Sequence, residues 1–310
     1  MTDPYDFLEL PDLASRALAG SVVAANDELF AERENLIKPG PPSSSPDFGN
    51  KGRIYDGWET RRRREPGNDW AVVRLGVPGV VRGVVIDTSH FTGNYPPEAS
   101  VEGAEVDGYP DPGDIIDWVP LLARSDLVGD SPNAFAVSSP ARVTHVRLSI
   151  YPDGGVARFR VHGECRPDPR LLTGTIDLAA TENGGRVLDC SNRFYSSPSN
   201  ILLPGRTRTM GEGWENARRR DAGNDHVTVG LAGRGRVRRI EIDTSYFVGN
   251  APGWAMVTGD SEVELVARVR LQPDTRHHFV VDDGSEVDTV RLDVYPDGGI
   301  ARLRVWGELV

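Results

Sequence analysis

Apolar and polar side chains alternate over short stretches in both halves of this chain. Such alternation, bounded by Gly, Pro, Asn and Asp, is typical of antiparallel strands that bury one face. The apolar positions are Val84 and Ile86, Val146, Leu148 and Ile150, Phe159 and Val161, and then Ile240 and Ile242, Val290, Leu292 and Val294, Leu303 and Val305. The pattern predicts an all-β protein with a sandwich or jelly roll in each half. Only the segment 11–19 is expected to form a short helix.

Three sequence blocks recur in the same order in the two halves. DGWETRRRREPGNDW at 56–70 matches EGWENARRRDAGNDH at 212–226 in nine of fifteen positions. IDTSHFTGNYP at 86–96 matches IDTSYFVGNAP at 242–252 in eight of eleven, and LSIYPDGGVARFRVHGE at 148–164 matches LDVYPDGGIARLRVWGE at 292–308 in twelve of seventeen. The chain is therefore a tandem duplication. We predict one domain at 1–168 and a second at 169–310.

The spacing between the matched blocks also locates a difference in length. The offset is 156 residues for the first two blocks and 144 for the third, so the second copy has lost about twelve residues. The loss is expected in the loop that reads DGYPDPGD at 107–114 in the first copy. A weaker match aligns Phe30 and Asn35 with Tyr195 and Asn200.

Composition excludes several classes of function. The net charge of −11 argues against general binding to nucleic acid, which depends on neutralising phosphates. No apolar run is long enough to cross a bilayer. The acidic start of the chain does not read as a signal peptide, so we expect a cytoplasmic protein. Cys165 and Cys190 are too few for a disulfide framework or a thiolate metal site.

Charged and amide side chains recur in the turns beside the matched strands. Arg pairs with carboxylates in a bidentate manner, and Asn and Asp hydrogen-bond amide groups, so these turns suit a small, polar, anionic ligand. The alternative is structural, because Pro-Asp-Gly-Gly is an ordinary tight turn and an arginine run is often a solvated surface. Packing alone does not require Arg, Asn and Asp together, which favours a ligand-binding role for these turns over a purely structural one.

Other sites are not indicated by the sequence. The chain lacks a GxSxG elbow, a P-loop and an HExxH motif. None of the six histidines falls at the same place in both copies, which argues against a repeated histidine metal site. No cofactor is predicted, although the abundant Asp, Glu and Asn leave a carboxylate-bound divalent metal open.

The matched blocks together resemble the allantoicase family. The resemblance rests on GWE followed by the arginine run, on GND, on IDTS-x-F-x-GN, on YPDGG-x-AR, and on FAERENL at 30–36, and it spans nearly the whole chain. It implies two tandem jelly-roll domains of the galactose-binding-like type and a homo-oligomer. It also implies an amidinohydrolase that converts allantoate and water to ureidoglycolate and urea in purine degradation.

The repeated polar residues fit that substrate, which carries one carboxylate and two ureido groups on one carbon. As acids or bases we predict Glu59, Asp69 and Asp153, with Glu215, Asp225 and Asp297 in the second copy. As substrate-binding residues we predict Arg62, Arg63, Asn68, Asn94 and Arg158, with Arg218, Arg219, Asn224, Asn250 and Arg302 in the second copy. The sequence leaves open whether one or both copies catalyse. The competing hypothesis is a non-catalytic jelly-roll module that binds a small polar or sugar ligand.

Overall fold

The computed structural model describes residues 5–282 and 284–310, which form two compact β-rich units. The first unit ends at Arg166 and the second spans Pro167–Val310. No α-helix occurs in the described ranges, where the helical turns are all of the short 3-10 type. These are Asp6–Glu9, Arg16–Leu18, Arg33–Ile37, Pro112–Asp114, Pro169–Leu171, Thr181–Asn183, Pro198–Leu202, Met210–Glu212 and Asp260–Glu262.

The strands of the first unit are all antiparallel where they pair. They are β1 (Ser21–Ala25), β2 (Ser44–Gly49), β3 (Gly52–Tyr55), β4 (Trp58–Glu59), β5 (Asp69–Asp87), β6 (Glu98–Ala104), β7 (Val119–Asp126), β8 (Pro132–Ala136), β9 (Arg142–Tyr151), β10 (Gly155–Val156) and β11 (Arg158–Cys165). The long strand β5 pairs with β1 and β9 along its first part and with β8 and β11 along its last part. One strand thereby joins the two sheets of the sandwich.

The second unit repeats this arrangement. Its strands are β12 (Ile176–Asp177), β13 (Arg186–Cys190), β14 (Asp225–Asp243), β15 (Trp254–Gly259), β16 (Glu264–Arg270), β17 (Arg276–Val280), β18 (Glu286–Tyr295) and β19 (Arg302–Leu309). The long strand β14 pairs first with β13 and β18 and then with β17 and β19. Both units are jelly-roll β-sandwiches, which confirms the predicted all-β fold of two tandem domains.

The alternating apolar positions form the two cores. Val84, Ile86 and Phe159 lie fully buried in the first core, and Ile240 and Leu303 lie fully buried in the second. The length difference also lies where the sequence placed it. The connection between β6 and β7 spans 105–118, whereas the connection between β15 and β16 spans only 260–263.

The helix predicted at 11–19 is wrong in extent, because only Arg16–Leu18 form a 3-10 turn. The Asp12 carboxylate accepts the backbone N–H of Val161 at 2.9 Å, which ties the preceding residues to β11. Ala19 then adopts a left-handed conformation with φ of 66° and ends the turn. Side-chain pairing with a strand outweighs the weak helical tendency of so short a segment.

Candidate active site

Loops at one end of the first sandwich enclose a polar cleft of about 1080 Å³. Its walls come from β4 and the arginine run that follows it, from the turn after β5, and from the turn after β9. The predicted residues that line the cleft are Glu59, Arg62, Arg63, Asp69, Asn94 and Asp153. The repeated turns of the sequence therefore converge on one space, as loops at the end of a sandwich are placed to do.

Gly154 holds two walls of this cleft together. Its φ is 145°, and a Cβ there would stand 2.6 Å from the backbone nitrogen of Pro96 and 2.8 Å from the carbonyl oxygen of Asn94. Only glycine fits this close approach of two backbones. The next residue, Gly155, donates its N–H to the carbonyl of Asn94 at 2.7 Å. The approach brings Asp153 beside the loop that carries Asn94.

Glu59 is the carboxyl group with the most distinctive environment in the cleft. The side-chain amide of Asn94 donates to its Oε1 at 2.7 Å. Burial raises the pKa of the Glu59 carboxyl, and the hydrogen bond from Asn94 offsets only part of that rise. Glu59 therefore retains a proton to higher pH than a solvated glutamate, which is the property required of a general acid near neutral pH.

Arg63 is held in place by two carboxylates. Its Nη2 donates to Asp69 at 3.0 Å, and its backbone N–H donates to Asp153 at 2.7 Å. Asn26 adds a 2.9 Å hydrogen bond to the same oxygen of Asp69. Because Asp69 is only 2 % exposed and already accepts these donors, its geometry suits positioning of Arg63 more than proton transfer.

Two arginines of the run are free to meet a ligand. Arg62 and Arg64 line the cleft and are exposed, and neither has a hydrogen bond or ion pair within the part of the chain that the structure describes. An unpaired guanidinium at the wall of a cleft offers a bidentate partner to a carboxylate. The cleft therefore carries unpaired guanidinium groups beside a carboxyl group whose pKa is raised by burial.

The segment between β1 and the 3-10 turn Arg33–Ile37 also contributes to the cleft, and the sequence pattern did not predict it. Asp27 lines the cleft, and its carboxylate accepts both the backbone N–H and the side chain of Arg61. The buried indole of Trp58 donates to the carbonyl of Asp27 at 2.7 Å and fixes this segment. The weak match of Phe30 with Tyr195 was the signal, because extending it aligns Asp27 with Asn192.

The second unit contains a corresponding cleft of about 960 Å³. Asn250 donates to Glu215 at 2.7 Å, and the backbone N–H of Arg219 donates to Asp297 at 2.8 Å. The guanidinium of Arg219 contacts Asp225 at 2.5 Å. Arg218, Arg219, Asn250, Glu215 and Asp297 line this cleft, whereas Asp225 lies behind it.

The two clefts differ at several residues of their walls. Arg61 of the first cleft becomes Ala217, and Tyr95 becomes Ala251. Asn216 takes the position of Thr60, and its buried Nδ2 has no hydrogen-bond partner in the described ranges. The second cleft thus keeps the carboxyl–amide pair and lacks one guanidinium, and its tyrosines, Tyr195 and Tyr246, stand at other positions.

Four of the predicted binding residues lie outside the clefts. Asn68 and Asn224 each donate to the backbone carbonyl of the following aspartate at 3.1 Å, which stabilises the turn. Arg158 is 2 % exposed, and its guanidinium contacts the Asp56 carboxylate at 2.7 Å and the Asp56 carbonyl at 2.9 Å. Arg302 is equally enclosed and donates to the Glu212 carbonyl at 2.7 Å. These side chains stabilise the loops through hydrogen bonds to their backbone carbonyls.

Three further observations concern metal ligands, cysteines and membrane spans. Within 5–282 and 284–310, no group of three or more His, Cys, Asp or Glu side chains is arranged to hold a metal ion. Cys165 and Cys190 are free, in agreement with the sequence analysis. No helix in these ranges combines the length and apolar character that a membrane span requires.

Comparison with known proteins agrees with this architecture. The family model described as Allantoicase repeat matches residues 11–166 and again 176–310. A protein of Nocardia farcinica named probable allantoicase is 59 % identical, over 99 % of this chain and 96 % of its own. A probable allantoicase of Streptomyces coelicolor is 50 % identical, over 99 % of this chain and 90 % of its own.

A solved structure extends the likeness to three dimensions. The crystal structure of allantoicase from Saccharomyces cerevisiae superposes with a TM-score of 0.85 at 34 % identity, over 99 % of this chain and 98 % of that one. The duplicated family model, the full-length relatives and this superposition agree with the motifs that line the two clefts. The chain belongs to the allantoicase family.

Proposed function

We propose that this protein hydrolyses allantoate to ureidoglycolate and urea, and that the reaction takes place in the cleft of the first unit. The function itself follows from the full-length likeness to proteins named allantoicase. The observation that supports the assignment to this cleft is the Glu59 carboxyl of raised pKa beside guanidinium groups that have no partner in the described chain.

The reaction breaks one bond and forms another at the central carbon of allantoate. The bond from that carbon to one ureido nitrogen breaks, and a bond to the water oxygen forms. The departing nitrogen takes up a proton, and the attacking water gives one up, so the proton balance closes. One acid and one base at the cleft wall suffice for this step, and each proton transfer contributes roughly a hundred- to ten-thousand-fold in rate.

The residues of the first cleft supply these roles. Glu59 donates its proton to the departing nitrogen, because burial raises the pKa of its carboxyl. Asp153, whose Oδ2 is fixed by the backbone N–H of Arg63, accepts the proton of water. Asp69 keeps Arg63 in position through their ion pair. After turnover, solvent returns the proton to Glu59 and removes it from Asp153.

The free arginines bind the substrate carboxylate. Arg62 is the first candidate because its exposed guanidinium faces the cleft without a partner in the described chain. Asn94 has amide atoms that remain available to a ureido group beyond its bond to Glu59. Anchoring the carboxylate and one ureido group would orient the second ureido group toward Glu59, which is the positional part of catalysis.

The cleft of the second unit is proposed to support the first and not to turn over substrate. It keeps Glu215 and Asn250 but has Ala217 and Ala251 in place of an arginine and a tyrosine. A non-catalytic module for a neutral sugar would not need a carboxyl of raised pKa beside guanidinium groups that have no partner in the described chain. The binding-only hypothesis is therefore not favoured.

The direct test is urea release from allantoate by the purified protein, measured with and without a chelator. Turnover that survives chelation supports the acid–base roles. Turnover that is lost and then restored by a divalent ion would keep the function and move the carboxylates into ligand roles. Folded protein that releases no urea under either condition would contradict the assignment.

Two further properties belong to this proposal. We propose that the protein is a homo-oligomer and acts in the cytoplasm, and the likeness to allantoicases, which are metabolic enzymes, supports both properties. Light scattering coupled to size exclusion tests the first, and fractionation of cells that express the untagged chain tests the second. The substrate is a small molecule whatever the oligomeric state and location of the protein.

A further inference from the structure

A second type of polar pocket lies in the second unit, away from the residues of the cleft. It encloses about 440 Å³ on the face of β19 that points away from the core. Arg302, Arg304 and Trp306 alternate along this strand and line the pocket. Across the sheet, Asp243 lies opposite Arg302 and Glu241 lies opposite Arg304. The outer face of the sheet is thus a ladder of opposite charges.

The first unit keeps two arginines on the same face, Arg158 and Arg160, but closes another part of it with apolar side chains. Val85 stands where the second unit has Glu241, and Gly83 stands where it has Arg239. Phe7 packs directly on Gly83, where a Cβ would lie 2.2 Å from its ring, and Phe7 is 6 % exposed. The second copy therefore places the Glu241 carboxylate on a face that carries arginines in both copies.

The carboxylates of this pocket are already satisfied by protein donors. Arg276 donates to both oxygens of Glu241, at 2.9 and 2.8 Å. Asp177 accepts the backbone N–H groups of Val305 at 2.9 Å and Ala179 at 3.2 Å. These acids need no ligand to balance them.

The guanidinium groups are not satisfied to the same degree. Arg304 is 7 % exposed, and its Nη1 makes no hydrogen bond in the described chain, the nearest carboxylate oxygen being Oδ2 of Asp177 at 3.4 Å. Burial, and then repulsion from Arg304, lowers the pKa of the Arg302 guanidinium to about 10. Arg206 is exposed at the rim and has no ion pair among the described residues. A buried donor left without an acceptor is destabilising, so the pocket is short of acceptor atoms.

The rim also presents one acceptor that has no protein donor. The carboxyl group of Glu182 lines the pocket, and the described part of the chain gives it no hydrogen bond or ion pair. A ligand that meets both sides of the rim must therefore accept hydrogen bonds at one end and donate N–H groups at the other. A volume of about 440 Å³ lies within the range of small-molecule sites.

We propose that this pocket binds a small carboxylate that also carries N–H donors, namely a ureido or amino acid. Its carboxylate pairs with Arg206 and with the Nη1 of Arg304, which has an ion pair with Asp177 but makes no hydrogen bond in the described chain, and its N–H groups reach Glu182. The site is separate from the proposed catalytic cleft, and the inference does not depend on the catalytic assignment.

The test uses NMR of the full chain and follows the indole N–H of Trp306, identified with the Trp306→Phe variant. Trp254, which lies outside the pocket, serves as the internal reference. N-carbamoylglycine, glycine and acetate are titrated in turn. We expect a saturable shift of the Trp306 signal with N-carbamoylglycine or with glycine, which tells the ureido and amino sources apart. Acetate is expected to bind more weakly than whichever of the two binds.

Two exposed substitutions and one matched control make the result specific. Arg206→Gln is expected to weaken binding roughly tenfold, as the loss of a charge-assisted hydrogen bond predicts. Glu182→Gln is expected to weaken binding of the ligand that carries N–H groups and to leave the binding of acetate unchanged. Arg186→Gln removes an exposed arginine of the same unit outside the pocket and is expected to change nothing.

The proposal is overturned by either of two outcomes. One is the absence of a saturable Trp306 shift with all three compounds. The other is a shift whose midpoint is the same in the wild-type chain, Arg206→Gln and Glu182→Gln. Because the readout is local to the pocket, ligand that binds only in the catalytic cleft registers as a negative result, whatever the protein does with allantoate.

Discussion

Asn94 donates a 2.7 Å hydrogen bond to Glu59, and the duplicated pair Asn250 and Glu215 makes the same bond at the same length. In the first unit this bond lowers the pKa of Glu59 against the opposing effect of burial. The amide therefore tunes the proposed acid as well as orienting it.

The Asn94→Ala substitution tests this tuning. Removing the hydrogen bond removes the contribution that lowers the pKa of Glu59, so that pKa rises further. A general acid acts while protonated, and we therefore expect the alkaline limb of the kcat profile to move to higher pH. The measurement is the pH dependence of urea release. If the variant is active and the alkaline limb of its kcat profile does not move, the ionisation that this limb reports is not that of Glu59.

The Glu59→Gln substitution is expected to stabilise the fold while it removes activity. A carboxyl whose pKa is raised in the folded state holds its proton more tightly there than in the unfolded chain. The folded state is then penalised once pH exceeds the ordinary glutamate pKa near 4.5, because the carboxyl ionises more readily in the unfolded chain than in the folded one. A neutral amide avoids this penalty at pH 7. Thermal unfolding at pH 7 should show a higher Tm than wild type, and a lower Tm would contradict the burial argument.

The proposed carboxylate anchor predicts a binding defect. Arg62→Met removes an exposed guanidinium that has no partner in the described chain, so the fold should be unaffected. Losing one charge-assisted contact should raise KM by roughly tenfold to a hundredfold. Arg218→Met is the matched control in the second cleft, and its KM should stay within about twofold of wild type. Equal effects of the two changes would contradict the assignment to the first cleft.

The sequence predicted the sandwich, the duplication and six of the residues that line the first cleft, because the repeat kept turn residues in register with the strands. It placed Arg158 and Arg302 in the site, whereas both lie beneath the loops. A buried arginine that binds backbone carbonyls has the same sequence signature as one that binds a ligand, since only the packing around it differs. Residue type and repetition do not carry that information.

The sequence missed Asp27 for the opposite reason. Its partner Arg61 becomes Ala217 in the second copy, and Asp27 itself becomes Asn192, so neither position is identical between copies. The backbone N–H of residue 61 binds Asp27, and that of Ala217 binds Asn192 at 3.1 Å, so the turn is preserved while the ion pair is lost. A comparison of the two copies that looks only for identical residues does not detect two positions that change together.

The buried pair of Arg158 and Asp56 predicts a stability effect in place of a binding effect. Burial opposes ionisation of Asp56, but hydrogen bonds from Arg158 and Ser43 outweigh it and hold the Asp56 pKa well below its usual range. A lowered folded pKa contributes stability above the ordinary value near 3.8 and loses it as pH falls. Asp56→Asn should therefore cost about 2 kcal/mol at pH 7.

The pH dependence of that loss is the check. Urea unfolding at pH 7 and again near pH 3 should show the gap between wild type and Asp56→Asn narrowing at the lower pH. A gap that stays constant would show that the charge of Asp56 contributes nothing to the pair.

The most direct measurement compares Glu59→Gln with Glu215→Gln in urea release from allantoate at pH 7. Each substitution changes one member of the duplicated pair to its neutral isostere. The account predicts that Glu59→Gln lowers kcat roughly a hundred- to ten-thousand-fold, while Glu215→Gln keeps it within a few-fold of wild type. Full turnover by Glu59→Gln, or equal losses in both variants, would contradict catalysis by Glu59 in the first cleft.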